Sequence, residues 1–180
     1  TAKRTMQVAQ MLYEGVELAD GETTGLITYM RTDSTRMSDD ALAALRDYAV
    51  AQFGKDYVPE SVRVFKSKKD IQDAHECIRP TNITLSPDDL KSVLNKDQLR
   101  LYELIWKRTL ASQMAAAVYD QTSFDIVAGD ALFRANGSIL KFAGFVKLYL
   151  AGQDETQNAG DDNSDDEGKR LPDLKEGETL

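Results

Sequence analysis

The stretch from Gly25 to Ser38 holds a set of side chains that can attack, bind or orient a phosphate. It reads GLITYMRTDSTRMS, so a short apolar run leads into Tyr29 and is followed closely by Arg31. If the run is a strand, Tyr29 and Arg31 project from the same face, because side chains alternate along a strand. The other candidates for phosphate contacts in this stretch are Asp33, Ser34 and Thr35.

Tyr29 is the candidate nucleophile of this stretch. A phenol has an unperturbed pKa of about 10 and is a poor nucleophile unless a cation stabilises the phenolate and holds the electrophile. The guanidinium of Arg31 can grip a phosphate with paired hydrogen bonds beside the phenol. The spacing also allows a structural interpretation, in which Tyr29 packs and Arg31 is solvated. Taken alone, the motif favours that structural interpretation.

A second polar cluster lies in DAHECIRPT, residues 73–81. It contains the single histidine of the chain, His75, together with Glu76 and Arg79. The proline after Arg79 disfavours a helical conformation there, so the segment is not predicted within a helix. His75 can donate a hydrogen bond to a phosphate or move a proton, although a lone histidine is more often a packing or surface residue. The single cysteine, Cys77, is predicted to be a small buried apolar residue.

The pattern around these clusters predicts a helix-rich part followed by a β-rich part. Apolar spacings of three and four predict helices over residues 3–18, 39–53 and 97–116, the second capped by Ser38 and Gly54. The other elements predicted from local pattern are a strand over 25–31, a helix starting at Ser86, and a β meander of four strands at 119–127, 131–135, 139–142 and 145–149.

The change of pattern near residue 117 divides the chain into two predicted domains, 1–117 and 118–180, and the predicted fold class is α+β. The second domain includes a stretch at 151–168 with seven acidic residues and no basic residue. Such a segment cannot bury an apolar core, so we expect a mobile loop. The final residues, LPDLKEGETL, read as the start of another strand, from which we expect the chain to be part of a larger protein.

Composition excludes several functional classes. The chain has 180 residues, of which 42% are hydrophobic and 29% charged, as in soluble globular proteins. One cysteine excludes an internal disulfide, and one histidine excludes a zinc site built from several Cys and His residues. No apolar run approaches the roughly 18 residues of a membrane helix, and the first residues lack the apolar core of a signal peptide, so we expect an intracellular protein. The net charge of −8 comes mainly from the acidic stretch and does not exclude nucleic acid binding.

Together, GLITYMRTDST and AHECIRPT resemble the bacterial type IA DNA topoisomerases, in particular their topoisomerase I branch. The flanking segments KRTMQVAQMLYE, LYELIWKRTLASQM, GSILKFAGFVKLY and LPDLKEGETL resemble the family in the same order, so the resemblance covers nearly the whole chain. The topoisomerase III branch tends to have proline at the position of Met30, which favours the first branch. The family usually has alanine at the position of Cys77.

The resemblance implies a role for each residue of the two motifs. Tyr29 matches the nucleophile that forms a transient 5′-phosphotyrosyl link, Arg31 matches a contact to the scissile phosphate, and His75 matches a residue near that phosphate. DNA-binding positions are implied for five further residues: Asp33, Ser34, Thr35, Glu76 and Arg79. The implied reaction relaxes negatively supercoiled DNA by single-strand cleavage, strand passage and religation, without ATP.

The resemblance also implies parts that lie outside this chain. In the family the Mg²⁺ ligands belong to a separate N-terminal domain, so we expect no bound metal here and no activity of the chain alone. The implied partners are single-stranded DNA, that N-terminal domain and the rest of the β arch, in the bacterial cytoplasm at the nucleoid. The implied fold is a mostly helical, winged-helix-like domain that carries Tyr29, followed by an antiparallel β segment of the arch.

Two other functional classes remain open from the sequence. One is a non-catalytic winged-helix module that binds DNA, in which Tyr29 is structural. The other is a protein-interaction domain that uses the acidic loop at 151–168. A covalent adduct between DNA and Tyr29 distinguishes the enzyme from both.

Overall fold

The computed structural model describes residues 1–19, 21–65, 75–150 and Gly177. The chain divides into two compact units, Thr1–Ala115 and Ala116–Leu180. The described residues of the first unit hold three long helices, and those of the second hold an antiparallel hairpin. The predicted α+β fold class is therefore confirmed. The assignment of the units as an active-site domain and an arch segment stays a prediction.

The first helix, α1, spans Ala2–Glu14. It ends at Gly15, whose φ of 123° lies in the region that favours glycine and cannot continue a helix. The chain then forms a short ribbon, in which β1 (Val16–Glu17) pairs antiparallel with β2 (Thr23–Thr24). The helix predicted over 3–18 is therefore too long, because its last residues belong to this ribbon.

The second helix, α2, spans Asp39–Phe53 and has the caps that the sequence predicts. The Ser38 hydroxyl accepts a hydrogen bond from the backbone N–H of Ala41 at 3.4 Å, and Gly54 takes a φ of 96° at the other end. Both ends follow from local rules, since a short polar side chain satisfies a free N–H and glycine accepts a positive φ.

The third helix, α3, spans Lys96–Ser112 and starts at a capping box formed by Asn95 and Gln98. Asn95 takes extended backbone angles, so it separates α3 from the residues before it. Residues 87–94 form consecutive turns instead of the helix predicted at Ser86, because this interruption leaves too short a stretch for a regular helix. The predicted end at residue 116 is also too late.

The core of the first unit brings these helices together with the segment before Tyr29. The largest fully buried side chains of the described residues are Tyr102, Leu12, Leu26, Ile27, Leu110, Met114 and Gln113. The polar atoms among them are satisfied; the Tyr102 hydroxyl, for example, donates to the Leu85 carbonyl at 2.7 Å. Leu12 near the end of α1 and Leu26 therefore share one core, which fixes the path of the chain into Tyr29.

Residues 25–31 form no regular strand, although the sequence predicts one. Their one ladder contact within the described residues is an isolated antiparallel bridge between Ile27 and Pro80. The Thr28 N–H donates to the Arg79 carbonyl at 2.9 Å, but the Arg79 N–H is taken by the Thr28 side chain, also at 2.9 Å. The pairing stops at Thr28 because its side chain has replaced the next backbone partner, and it stops at Leu26 because the N–H of Leu26 donates to the Leu12 carbonyl.

The second unit is built on a long hairpin, in which β3 (Val118–Ala128) pairs antiparallel with β4 (Ala131–Phe142). Gly129 starts the two-residue turn with a φ of 62°. Across the strands, the Arg134 guanidinium donates to the Asp125 carboxylate at 2.7 and 2.9 Å. The antiparallel β segment is therefore confirmed, but as two long strands and not as the predicted meander.

The meander prediction is wrong at two places. Asn136-Gly137 lies inside β4 and not at a turn, because both residues are paired in the ladder with Ser123 and Thr122. The Asn136 side chain also accepts a hydrogen bond from the Ser123 hydroxyl at 2.7 Å across the strands. The last predicted strand, 145–149, is instead a 3₁₀ turn at Gly144–Val146 followed by the short helix α4 (Lys147–Leu150).

Two predictions fall on parts of the chain that are not described. They are the mobile loop at 151–168 and the final strand, of which only Gly177 is described. Across the described ranges, no helix combines the length and the apolar character needed to cross a membrane.

Candidate active site

Tyr29 contacts two other aromatic rings. Its ring centroid lies 5.4 Å from that of Tyr13, with an interplanar angle of 66°, and 5.2 Å from that of His75, with an angle of 36°. Tyr29 is half-buried, whereas His75 is exposed and Tyr13 is 41% exposed. Within the described residues, the Tyr29 hydroxyl makes no hydrogen bond. Ring packing therefore holds the phenol, and its oxygen has no hydrogen-bond partner among those residues.

The C-terminal end of α1 positions the backbone that leads into Tyr29. The Leu26 N–H donates to the Leu12 carbonyl at 2.7 Å, which satisfies one of the free carbonyls at the helix end. At Gly25, a Cβ atom would lie 2.7 Å from the Tyr13 carbonyl oxygen, so only glycine fits this close approach. The segment is thus seated on α1 by a hydrogen bond, a glycine contact and the burial of Leu26 and Ile27.

Thr28 joins the tyrosine motif to the histidine motif. Its hydroxyl donates to the Cys77 carbonyl at 2.7 Å and accepts from the Arg79 N–H at 2.9 Å. The Cys77 N–H in turn donates to the Arg36 carbonyl at 2.8 Å, so the histidine segment is bonded on both sides by the tyrosine motif. Burial raises the pKa of the Cys77 thiol, which therefore stays protonated at neutral pH. Cys77 is half-buried, so it is less buried than the small buried apolar residue that the sequence predicts.

Arg31 lies on the surface near α1. One of its terminal nitrogens donates to the Gln10 side-chain carbonyl at 3.3 Å, and the Gln10 amide donates to the Glu14 carboxylate at 2.6 Å. A single long hydrogen bond to a neutral group leaves the guanidinium able to bind an anion. Gln10 and Tyr13 both lie on α1, three residues apart, so one side of this helix contacts Arg31 and Tyr29.

Glu76 and Arg79 form an ion pair and lie partly buried. The Arg79 Nε donates to the Glu76 carboxylate at 2.6 Å, and the two side chains are 22% and 16% exposed for Glu76 and Arg79. Loss of water acts to raise the pKa of Glu76, but the hydrogen bond and charge of Arg79 outweigh it, with smaller contributions from Ser38 and Arg36, and hold that pKa below its usual value. The pair therefore orders the histidine segment, and its predicted DNA contacts stay a prediction.

Replacing Glu76 with glutamine is expected to remove a pH-dependent part of the stability. The pKa of Glu76 is lowered from 4.5 in the folded protein, so the carboxylate stabilises the fold above pH 4.5 and loses this effect as the pH falls below that value. At neutral pH the variant should lose about 1–2 kcal/mol of unfolding free energy. Below pH 4.5 the free energy of unfolding of the parent should approach that of the variant. Urea unfolding across a pH series measures both.

Glu103→Gln is the matched control for this experiment. Glu103 pairs with Lys107 at 2.7 Å within α3, and the Glu103 side chain is 42% exposed, so solvent weakens the interaction. The control should therefore change the free energy of unfolding little at any pH. Curves for the Glu76 variant that stay parallel to those of the parent would contradict the stabilising role of the carboxylate.

The three polar residues after Arg31 have different surroundings. Ser34 is buried; its N–H donates to the Thr32 hydroxyl at 3.0 Å, and its own hydroxyl accepts from the Arg36 N–H at 3.2 Å. The Thr35 hydroxyl donates to a backbone carbonyl at 3.2 Å, and Asp33 is exposed. Ser34 therefore shapes the loop, and DNA contacts by all three residues stay predictions.

Three residues that position this site are not indicated by the motifs of the sequence: Gln10, Tyr13 and Thr28. A signal exists for the first two, because residues three apart on a predicted helix lie on the same face. The helix pattern does not say which face meets the tyrosine motif. Thr28 reads as an ordinary strand residue, and its bonds to the distant histidine segment have no local signature.

The site does not fit a resident Mg²⁺ ion. Among the residues described, no group of three or more His, Cys, Asp or Glu side chains is placed to hold a metal ion. Magnesium prefers carboxylate and water oxygens. Around Tyr29 the groups are instead the imidazole of His75 and the cation of Arg31, while the nearby Glu76 is paired with Arg79. Metal ligands elsewhere in a larger protein stay a prediction.

Comparisons with known proteins agree with the two motifs. The family model described as DNA topoisomerase matches residues 1–180. DNA topoisomerase 1 of Rickettsia conorii is 49% identical over 183 aligned residues, which cover 100% of this chain and 23% of the relative. The solved structure of full-length topoisomerase I from Thermotoga maritima has a TM-score of 0.67 and 44% identity, covering 83% of this chain and 23% of the other.

The chain therefore belongs to the DNA topoisomerase family. The two relatives described above are bacterial type I topoisomerases, as the resemblance of both motifs predicts. The chain spans 23% of the length of each.

Proposed function

We propose that this chain is the tyrosine-bearing part of a bacterial type IA topoisomerase that relaxes negatively supercoiled DNA without ATP. The observation that carries the proposal is the contact between the rings of Tyr29 and His75, whose centroids lie 5.2 Å apart. It brings together a candidate nucleophile and a hydrogen-bond donor from two separate motifs. The half-buried phenol and the exposed Arg31 next to it support the same interpretation.

Tyr29 is the proposed nucleophile. Its phenolic oxygen attacks the phosphorus of one DNA strand and forms a P–O bond, while the bond from phosphorus to the 3′ oxygen breaks. The phenol gives up its proton and the leaving 3′ oxygen takes one, so the 5′ end stays joined to Tyr29. Religation is the reverse reaction. The phosphotyrosyl ester conserves the energy of the broken bond, which is why no nucleotide is required.

Arg31 and His75 are proposed to stabilise the reacting phosphate. The guanidinium of Arg31 neutralises phosphate charge and favours the ionised phenol, because fixed cations beside developing negative charge lower the barrier. The His75 ring, in contact with that of Tyr29, can donate a hydrogen bond to a phosphate oxygen. Mg²⁺ held by the rest of the larger protein would supply further charge neutralisation on the DNA.

Single-stranded DNA is the proposed partner. The exposed ring of His75 offers a face on which an unpaired base can stack, and such stacking is independent of sequence. The chain by itself is proposed to be inactive, because the groups around Tyr29 among the described residues do not fit Mg²⁺. The full protein would act in the bacterial cytoplasm at the nucleoid, joined to the N-terminal metal-binding domain and the remaining arch.

Mapping the covalent adduct tests this proposal. The full-length protein that contains this chain is incubated with Mg²⁺ and a single-stranded oligonucleotide, denatured and digested, and the peptides are sequenced by mass spectrometry. We expect a nucleotide joined through its 5′ phosphate to Tyr29, and no plasmid relaxation by the 180-residue chain alone. An adduct on another tyrosine contradicts the proposed nucleophile. DNA binding without any adduct favours the non-catalytic winged-helix module.

A further inference from the structure

Tyr13 belongs to neither motif, yet its ring contacts that of Tyr29. The centroids lie 5.4 Å apart with an interplanar angle of 66°, an edge-to-face arrangement that aromatic rings prefer. Tyr13 is 41% exposed, whereas Leu12 beside it is fully buried. Leu12 therefore anchors this turn of α1 in the core. Burial does not explain the position of the Tyr13 ring, because that ring is partly exposed and lies against Tyr29.

The backbone fixes where the Tyr13 ring stands relative to Tyr29. The Tyr13 carbonyl lies against Gly25, where a Cβ atom would approach it to 2.7 Å. One residue further on, the Leu26 N–H is bonded to the Leu12 carbonyl at 2.7 Å. The helix end and the segment that carries Tyr29 are therefore held together at two neighbouring points, and their rings keep one relative position.

We propose that Tyr13 is a positioning residue for Tyr29, an inference that rests on the proposed function. A tyrosine side chain has three staggered χ1 positions, and a half-buried one with no hydrogen bond at its hydroxyl is restricted only by what its ring touches. Contact with Tyr13 removes the orientations of Tyr29 that would place its ring in the space of the Tyr13 ring, so the phenol keeps one direction. The Tyr13 hydroxyl makes no hydrogen bond within the described residues, so the ring alone performs this role.

The test compares two substitutions in the full-length protein that contains this chain. Tyr13→Leu removes the ring, and Tyr13→Phe keeps it without the hydroxyl. We expect Tyr13→Leu to lower the single-turnover rates of oligonucleotide cleavage and religation by about tenfold, because a displaced nucleophile loses the geometry for attack. Tyr13→Phe should cleave and religate the oligonucleotide at the parent rates. Both variants should bind the oligonucleotide with unchanged Kd in the absence of Mg²⁺.

A spectroscopic measurement separates positioning from a structural role. With 3-fluorotyrosine incorporated, the ¹⁹F resonance of Tyr29, assigned by its loss in Tyr29→Phe, should stay single and sharp in Tyr13→Phe. It should broaden or split in Tyr13→Leu, as the ring gains other orientations; a shift alone follows from loss of the neighbouring ring. Met11→Ala, at an exposed neighbour on α1, is the matched control and should change neither the resonance nor the cleavage rate.

Three outcomes would overturn the inference. One is Tyr13→Leu cleaving at the parent rate. Another is a rate loss in Tyr13→Leu that equals its loss of DNA affinity, which makes Tyr13 a binding residue. The third is a Tyr13→Phe variant as slow as Tyr13→Leu. If Tyr29→Phe still cleaves DNA, the proposed function itself fails; if Tyr29→Phe is inactive while Tyr13→Leu is fully active, only the role of Tyr13 fails.

Discussion

Replacing Tyr29 with phenylalanine is expected to abolish covalent cleavage of DNA by the full-length protein and to leave its fold unchanged. The hydroxyl is the atom that would bond to phosphorus, and loss of a nucleophile reduces the rate by about 10⁴-fold or more. The ring contacts with Tyr13 and His75 need no hydroxyl and should persist. Because that hydroxyl has no hydrogen-bond partner among the described residues, its removal leaves no buried group unsatisfied.

Tyr48→Phe is the matched control, because it removes the same atom at a distant position. The Tyr48 ring packs edge-to-face on Trp106 with centroids 5.8 Å apart, between α2 and α3. Denaturing gels report the covalent adduct, thermal unfolding reports the fold, and anisotropy reports DNA affinity. We expect Tyr29→Phe to lose only the adduct and Tyr48→Phe to lose nothing measurable in cleavage. An adduct that persists in Tyr29→Phe would place the nucleophile elsewhere.

The chemistry of the site was predictable because residue type alone limits what each group can do. The possible roles of a phenol followed by arginine can be stated without a structure. The same holds for a lone histidine in a separate segment. The spacing of Tyr29 and Arg31 by itself favours the structural interpretation, and the second motif with its flanks favours the nucleophile. The structure adds the contact between Tyr29 and His75, which no spacing in the sequence reveals.

The elements that follow local rules were also predictable, whereas those that depend on distant partners were not. Ser38 and Gly54 end α2 because capping needs only the neighbouring backbone. Asn136-Gly137 has the composition of a hairpin turn, but the partner strand offers Ser123 and the chain stays extended. The predicted strand over 25–31 ends after one bridge for the same reason, since Thr28 bonds to a segment far along the chain.

Replacing Gly25 with alanine is expected to be the second most damaging change at the site. The added Cβ would lie 2.7 Å from the Tyr13 carbonyl oxygen, a backbone atom that no side-chain rotation can move away. The segment must then shift from α1, and the Leu26 N–H bond to the Leu12 carbonyl must lengthen. We expect a loss of about 1–3 kcal/mol in the free energy of unfolding, as for other overpacked sites.

The same shift should lower cleavage by more than the loss of stability explains. Tyr29 lies a few residues beyond Gly25 on the displaced segment, and a displacement near 1 Å at a reacting group costs about 10²-fold in rate. Single-turnover cleavage by the full-length protein measures the rate, at a temperature where thermal unfolding shows the variant to be folded. DNA affinity should fall much less, because the proposed phosphate contact of the exposed Arg31 is made through a long, adaptable side chain.

Gly54→Ala separates strain at the site from general destabilisation. Gly54 has a φ of 96°, which alanine rarely adopts, but a Cβ there would meet nothing within 4 Å. This control should cost about 1–2 kcal/mol of stability through its backbone and leave Tyr29 where it is. If both variants lost stability and activity in the same proportion, the close approach of Gly25 to α1 would have no special role. If only Gly25→Ala loses cleavage while folded, the end of α1 sets the position of the nucleophile.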